Sequence, residues 1–134
     1  RPKARSFIFT ASPLAPCLTA AALAAIQKIA DDDTLVTRLW ENRAYFAKRM
    51  EDAGLNIGST VTPVIPVIVG DAEKAEELSA RLYEKGVYAQ AIKFPVVPRG
   101  TARLRIMISA AHSKADLEKA ADAIIEITKE MGII

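Results

Sequence analysis

One cysteine and one histidine occur in the 134 residues. With Cys17 alone no internal disulfide can form, and no cluster has metal-ligand spacing, so a reducing, cytoplasmic setting without a structural metal is expected. Neither a Gly-x-Ser-x-Gly elbow nor a glycine-rich phosphate loop opening a helix is present, which leaves no nucleophile constellation for a self-contained enzyme. Excess charge of one sign is also missing. The formal net charge is +2, with acids and bases interspersed, so no footprint for nucleic acid is expected. The longest apolar stretch, residues 14–30, is interrupted by Cys17, Thr19, Gln27 and Lys28 and reads as a buried helix, not a membrane span. Arg1-Pro2-Lys3-Ala4-Arg5 is basic but lacks the rest of a signal-peptide layout. The expectation is one soluble globular domain covering residues 1–134, with no linker.

What is present reads as alternating helices and short strands. Leu14, Leu18, Ala22, Ala25 and Ile29 recur at helical spacing, with Pro13 or Pro16 at the start, where a missing amide proton is harmless. This predicts a first helix, much of it buried, with Cys17 as a small buried hydrophobe. Leu35, Leu39, Phe46 and Met50 predict a second helix, capped by Asp33 or Thr34 and ended by Gly54. Residues 64–69 form a β-branched run whose Pro66 belongs at an edge or bulge. Asp71 caps a third helix carried by Ala75, Leu78 and Leu82 and stopped by Gly86. Residues 87–94 read as a strand, 94–100 as a proline-rich loop, and 103–109 as a strand of alternating character. Ser113 with Asp116 resembles a capping box before a last helix bearing Leu117, Ala121, Ile124, Ile125 and Met131, with Gly132 as its stop. That order predicts a two-layer α+β domain, a small, mostly antiparallel sheet with helices on one face.

Chemistry-bearing residues concentrate where the proline-rich loop runs into the last strand. A spacing of two puts Arg103 and Arg105 on one face. An arginine on such a strand needs an anionic partner, which is either a bidentately held substrate carboxylate or an internal Asp or Glu. His112 either contacts the mouth of a site or makes a local hydrogen bond. Thr10 and Ser12 either cap the first helix or bind a phosphate. Trp40, Tyr45 and Phe46 are either core and interface packing or an interaction surface.

Read in order, Phe7-Ile8-Phe9-Thr10-Ala11-Ser12, Leu39-Trp40-Glu41-Asn42, Pro63-Val64-Ile65-Pro66-Val67-Ile68-Val69-Gly70-Asp71, Pro95-Val96-Val97-Pro98-Arg99-Gly100-Thr101-Ala102-Arg103-Leu104-Arg105 and Ser109-Ala110-Ala111-His112 resemble the C-terminal part of α-oxoamine synthases over nearly the whole chain. Within that family, Pro-Val-Val-Pro, Leu-Trp-Glu-Asn and the Met-Gly-Ile-Ile end look most like glycine C-acetyltransferase, with 8-amino-7-oxononanoate synthase as another member.

The resemblance implies the small domain of a fold-type I homodimer that uses pyridoxal 5'-phosphate to condense an amino acid with an acyl-CoA. It further implies that Arg105 binds the amino-acid carboxylate and that Thr10 and Ser12 reach the cofactor phosphate of the partner subunit. Val96, Val97 and Pro98 would line the acyl-CoA entrance, and Arg103 has no assigned role. Pro13 stands between Ser12 and Leu14, where family members usually read Phe-Ser/Thr-x-Ser-Leu-x-Pro, leaving open which hydroxyl meets the phosphate. No lysine here lies in the family's Ser/Thr-x-x-Lys context, so the Schiff-base lysine and a large cofactor-binding domain are expected outside this stretch, which alone would be inactive. From the residues themselves a second reading stands beside this one, a free-standing α+β regulatory module that captures a carboxylate through Arg105.

Overall fold

The computed structural model describes residues 15–134. Thr10 and Ser12 lie outside the described residues. The chain divides into two compact units, residues 1–35 and 36–134.

In the first unit the described structure is helix α1, Pro16–Asp31, which opens on Ala15 with a proline in its first turn and no side-chain cap. None of its residues is buried, and Cys17 is exposed. Both findings correct the sequence expectation of a largely buried helix. Apolar periodicity specifies that a helix has a face to cover, but not what covers it.

Helix α2, Thr34–Asp52, follows. Its start is held by Asp32, whose carboxylate accepts from the Thr34 amide and hydroxyl, both at 2.9 Å, so the capping acid precedes the expected Asp33 or Thr34. Phe46, Ala47 and Met50 are buried, while Leu35 is exposed and Leu39 only partly covered. The helix ends as glycine allows: Gly54 has φ 85°, and the Leu55 amide donates to Met50 O at 3.0 Å.

The remaining elements are β1 (Val64–Gly70), α3 (Ala72–Glu84), β2 (Gln90–Ile92), β3 (Ala102–Met107) and α4 (Lys114–Glu130). The three strands form an antiparallel sheet in the order β1-β3-β2, so Pro66 lies on an edge strand, where its missing amide proton breaks no ladder. Asp71 accepts from Lys74 N to cap α3, and Ser113 and Asp116 complete a reciprocal capping box at α4. β2 is shorter than the expected strand over residues 87–94. Before it, Ala89 O accepts from Ser79 Oγ of α3 at 2.6 Å and is not in the ladder; after it, Val96 N turns back to Lys93 O at 3.0 Å.

Alternation sorts the sheet into two faces. Ile65, Val67, Leu104 and Ile106 are buried in one cluster with Phe46, Met50, Leu78, Leu82, Leu117 and Ile124 from the helices. The architecture is therefore α+β, with helices on one face of a small antiparallel sheet. On its other face stand Pro66 and Ile68 of β1, Arg103, Arg105 and Met107 of β3, and Gln90 and Ile92 of β2. The one buried polar side chain among the described residues, Thr128, donates its hydroxyl within α4, to Ile124 O at 2.7 Å.

Candidate functional site

Arg105 occupies the central strand, paired in register with Pro66 on one side and Gln90 on the other. Because Leu104 and Ile106 fill the core, Arg105 is turned to the opposite face and is exposed. Its charge therefore remains hydrated, and the cost of burying an arginine on a core strand does not arise. Nor does it form an ion pair with any described residue. Among the described residues the ion pairs are Arg49 with Asp122, Arg81 with Glu77 and Glu130, Lys85 with Glu126, and Lys93 with Glu76. The internal-carboxylate alternative finds no partner there. Arg103 shares the face but donates from Nε to Thr101 O at 3.0 Å, which ties it to the loop that leads into its own strand.

Beside Arg105 lies a cavity of about 440 Å³, bounded by β3, the approach to β2 and the first turns of α4. Phe46, Ile108, Leu117 and Ile124 supply apolar wall, and Tyr88, Gln90, Arg105, His112 and Lys119 are also among its lining residues. Donors outnumber acceptors in that set. The carboxylate that also borders the cavity, Asp116, is engaged: its Oδ2 accepts from the Ser113 hydroxyl at 2.7 Å and the Ser113 amide at 3.0 Å. These two bonds, the hydroxyl's first, hold its carboxyl below the ordinary aspartate value.

His112 is fixed by a local network. Ser109 N donates to His112 Nδ1 at 3.3 Å, so the local hydrogen-bonding role is present. The Asn42 amide, reaching from α2, donates to Ser109 O at 3.0 Å and His112 O at 3.1 Å. Sequence reasoning quoted Asn42 within a motif but gave it no task, and it gave none to Tyr88, Gln90 or Lys119. The signal for Asn42 was a carboxamide in mid-helix, where it contributes little to helix stability on its own.

The structure brings Arg105 and His112 to one cavity, whereas Val96, Val97 and Pro98 are not part of its lining. They sit on the loop between β2 and β3, Val96 78% exposed, with Thr101 Oγ1 donating to Pro98 O at 2.7 Å. Arg99 lies over the Phe94 ring, 4.7 Å from its centroid, and stiffens the same loop. The aromatic trio of α2 separates: Phe46 is core, Tyr45 donates to Glu118 Oε1 at 3.2 Å, and Trp40 is 44% exposed. Among the described residues no acid, histidine and cysteine cluster could hold a metal, and no helix is long and apolar enough to cross a membrane.

The architecture is that of the small domain of fold-type I enzymes. It superposes on serine palmitoyltransferase from S. paucimobilis, solved with pyridoxal phosphate and myriocin, with TM-score 0.86 and 25% identity over 92% of this chain and 32% of that one. The 8-amino-7-oxononanoate synthase of Francisella tularensis, at 21% identity, shares the fold with TM-score 0.78 over 96% of this chain and 37% of that one. The family described as aminotransferase class I and II matches residues 1–124, and the chain belongs to it. Curated relatives include the 8-amino-7-oxononanoate synthases of Petrotoga mobilis, 45% identical, and Symbiobacterium thermophilum, 46% identical, each over 132 residues. Each alignment covers 98% of this chain and 33% of the relative, so the chain spans about a third of their length.

Proposed function

We propose that the intact protein is a pyridoxal-phosphate-dependent α-oxoamine synthase and that this chain is its small domain, which binds the amino-acid carboxylate and closes over the cofactor. The observation that carries the reading is Arg105: exposed, central in the sheet, without an internal carboxylate among the described residues, and beside a cavity richer in donors than acceptors. Its planar guanidinium suits bidentate capture of a carboxylate. When bound, pyridoxal phosphate supplies the electron sink for chemistry at the amino-acid α-carbon, while the protein orients the reactants. Arg105 would hold the amino acid by its carboxylate. Thr10 and Ser12 would hold the cofactor phosphate across a homodimer interface, and Val96, Val97 and Pro98 would border the entry of the acyl-CoA. The covalent lysine would come from sequence outside this stretch, and the setting would be cytoplasmic.

Within the family, the names of the curated relatives favour 8-amino-7-oxononanoate synthase over the glycine C-acetyltransferase that the short motifs resemble. The product name states the expected substrates. An amine on carbon 8 and a ketone on carbon 7 of a nine-carbon acid require a decarboxylated alanine joined to a seven-carbon acyl thioester with a free terminal carboxylate. The discriminating experiment incubates the intact protein and pyridoxal phosphate with alanine and that thioester, and separately with glycine and acetyl-CoA. Turnover of the first pair alone is expected. Turnover of the second pair alone would favour glycine C-acetyltransferase, and turnover of neither would sink the enzymatic reading.

A further inference from the structure

We propose that the outer edge of β2 is a docking groove for one more strand, supplied in the intact protein by an extended segment from sequence outside these 134 residues. The inference rests on the reading of this chain as part of a longer enzyme, and adds where the remainder attaches and through which groups.

Hydrogen-bond alternation fixes the direction of each peptide group in the sheet. Ile108 N donates to Pro63 O at 3.1 Å, so the even-numbered positions of β3 bond towards β1. Arg103 and Arg105 therefore bond towards β2, where Ile92 and Gln90 are their partners. Ala91, between those two, turns its amide and carbonyl away from the sheet.

The two edges of the sheet differ. On β1 the outward groups are largely met by the neighbouring chain: Ile68 N donates to Asn56 O at 2.8 Å, and Val64 O accepts from the hydroxyls of Thr60 at 3.1 Å and Thr62 at 3.3 Å. Pro66 has no amide proton to offer. On β2, Ala89 O is taken by Ser79 Oγ and Lys93 O by Val96 N, whereas the Ala91 amide and carbonyl have no outward partner among the described residues. An edge left with an unpaired amide and carbonyl is a template for a further strand.

A groove runs beside that edge. Glu76, Ser79, Ala80 and Tyr83 form one stripe of α3, and with Tyr88 and Ala91 they border a space of about 430 Å³. Ala80 and Ala91 leave room for an incoming side chain, and Tyr83 and Tyr88 are both largely exposed there. An extended segment with an apolar side chain opposite Ala91 fits this chemistry. A second copy of the chain fits poorly. Edge to edge, two β2 strands could exchange bonds only between their Ala91 residues, because the Ala89 and Lys93 carbonyls are occupied. A segment from elsewhere brings unoccupied groups of its own. This chain matches only 33% of the length of each curated relative, which leaves ample sequence to supply one.

Amide exchange in the intact protein with pyridoxal phosphate reads the docked strand directly. The Gln90 and Ile92 amides point into the ladder and serve as references. The Ala91 amide is expected to exchange within about tenfold of them. Exchange at least about 100-fold faster than theirs would mark an open edge and overturn the proposal. Photo-cross-linking from Tyr83→benzoylphenylalanine then identifies the occupant, and the cross-linked peptides should come from outside the 134 residues. Peptides from within them, joined between isotopically distinct copies, would assign the edge to a second copy and overturn the proposal, as would no cross-link. Ala91→Pro removes an outward amide proton and no ladder bond, the arrangement that Pro66 already has on β1. The cross-link yield should fall at least about tenfold in that variant. An unchanged yield would mean that side-chain packing fills the groove without strand pairing, against the proposal. Turnover by a protein whose Ala91 amide exchanges freely would sink the docked strand alone; a protected Ala91 amide without turnover would sink the enzymatic reading alone.

Discussion

Pro66 and Arg105 stand directly opposite each other across the β1–β3 ladder. Paired residues share a face, so the arginine is flanked there by a pyrrolidine ring, with the Gln90 carboxamide at the matching position on β2. Neither neighbour carries a charge that could neutralise the guanidinium. Among the described residues its side chain makes no ion pair or hydrogen bond, which leaves its donors for a ligand.

Replacing Arg105 with Leu is therefore expected to leave folding almost unchanged and binding severely impaired. In the intact protein the amino-acid KM should rise by on the order of 30- to 1000-fold, the equivalent of about 2 to 4 kcal/mol for a charge-assisted bidentate contact. Steady-state kinetics and a melting curve on the same preparation check both halves. An unchanged KM would show that the arginine only shields the sheet.

β3 also predicts a contrast within one strand. Leu104 is fully buried and Met107 is 61% exposed on the other face. Leu104→Ala should cost about 2 to 5 kcal/mol, through lost transfer energy and the cavity left behind. Met107→Ala should stay within about 0.5 kcal/mol. Urea unfolding of the two variants measures the gap, and equal losses would contradict the assignment of faces.

Helix ends were the most legible part of the fold, because their signals are local. Asp71 and Gly86 bracket α3, and Ser113 with Asp116 opens α4, each by bonds that span only a few residues. Strand extent was less legible. Ahead of β2, Ala89 O is taken by Ser79 Oγ, a contact invisible to alternation. At the site, a spacing of two was enough to put Arg103 and Arg105 on one face, but which face, and whether a carboxylate waited there, depended on the packing of three strands. Asn42 was the hardest to read. Its bond to Ser109 O joins positions 67 residues apart, so a carboxamide in mid-helix is the only local signal and does not reveal the partner.

The capping box supplies a pH signature. Asp116 titrates below the ordinary aspartate value of 3.8 because the Ser113 hydroxyl and amide bond its charged form. The unfolded chain therefore binds this proton more readily, and the stabilisation is present above pH 3.8 and lost as pH falls through the lower folded value. Asp32 behaves alike, held low by the Thr34 amide and then its hydroxyl. Wild type should melt above Asp116→Asn at neutral pH, with the gap closing in acid below about pH 3.8. A gap independent of pH would assign the effect to shape instead of charge. Ser113→Ala should cost about 1 kcal/mol at neutral pH.

Helix α1 gives a test of the proposal that further sequence packs against this chain. Leu18, Leu23, Ile26 and Ile29 are all more than half exposed, an apolar surface that associates readily in water. Replacing Leu23 and Ile26 with Lys removes no buried contact, so unfolding of the 36–134 core should be unaffected in the 134-residue chain. Its self-association, followed by sedimentation velocity, should fall. In the intact protein the outcome should invert if sequence outside this stretch covers the helix: each buried apolar side chain is worth about 1.5 to 3 kcal/mol, and placing a lysine there costs more. The double variant should then lower the melting temperature of the intact protein while leaving that of the isolated chain in place. Equal behaviour in both would mean that α1 keeps its apolar face in water throughout.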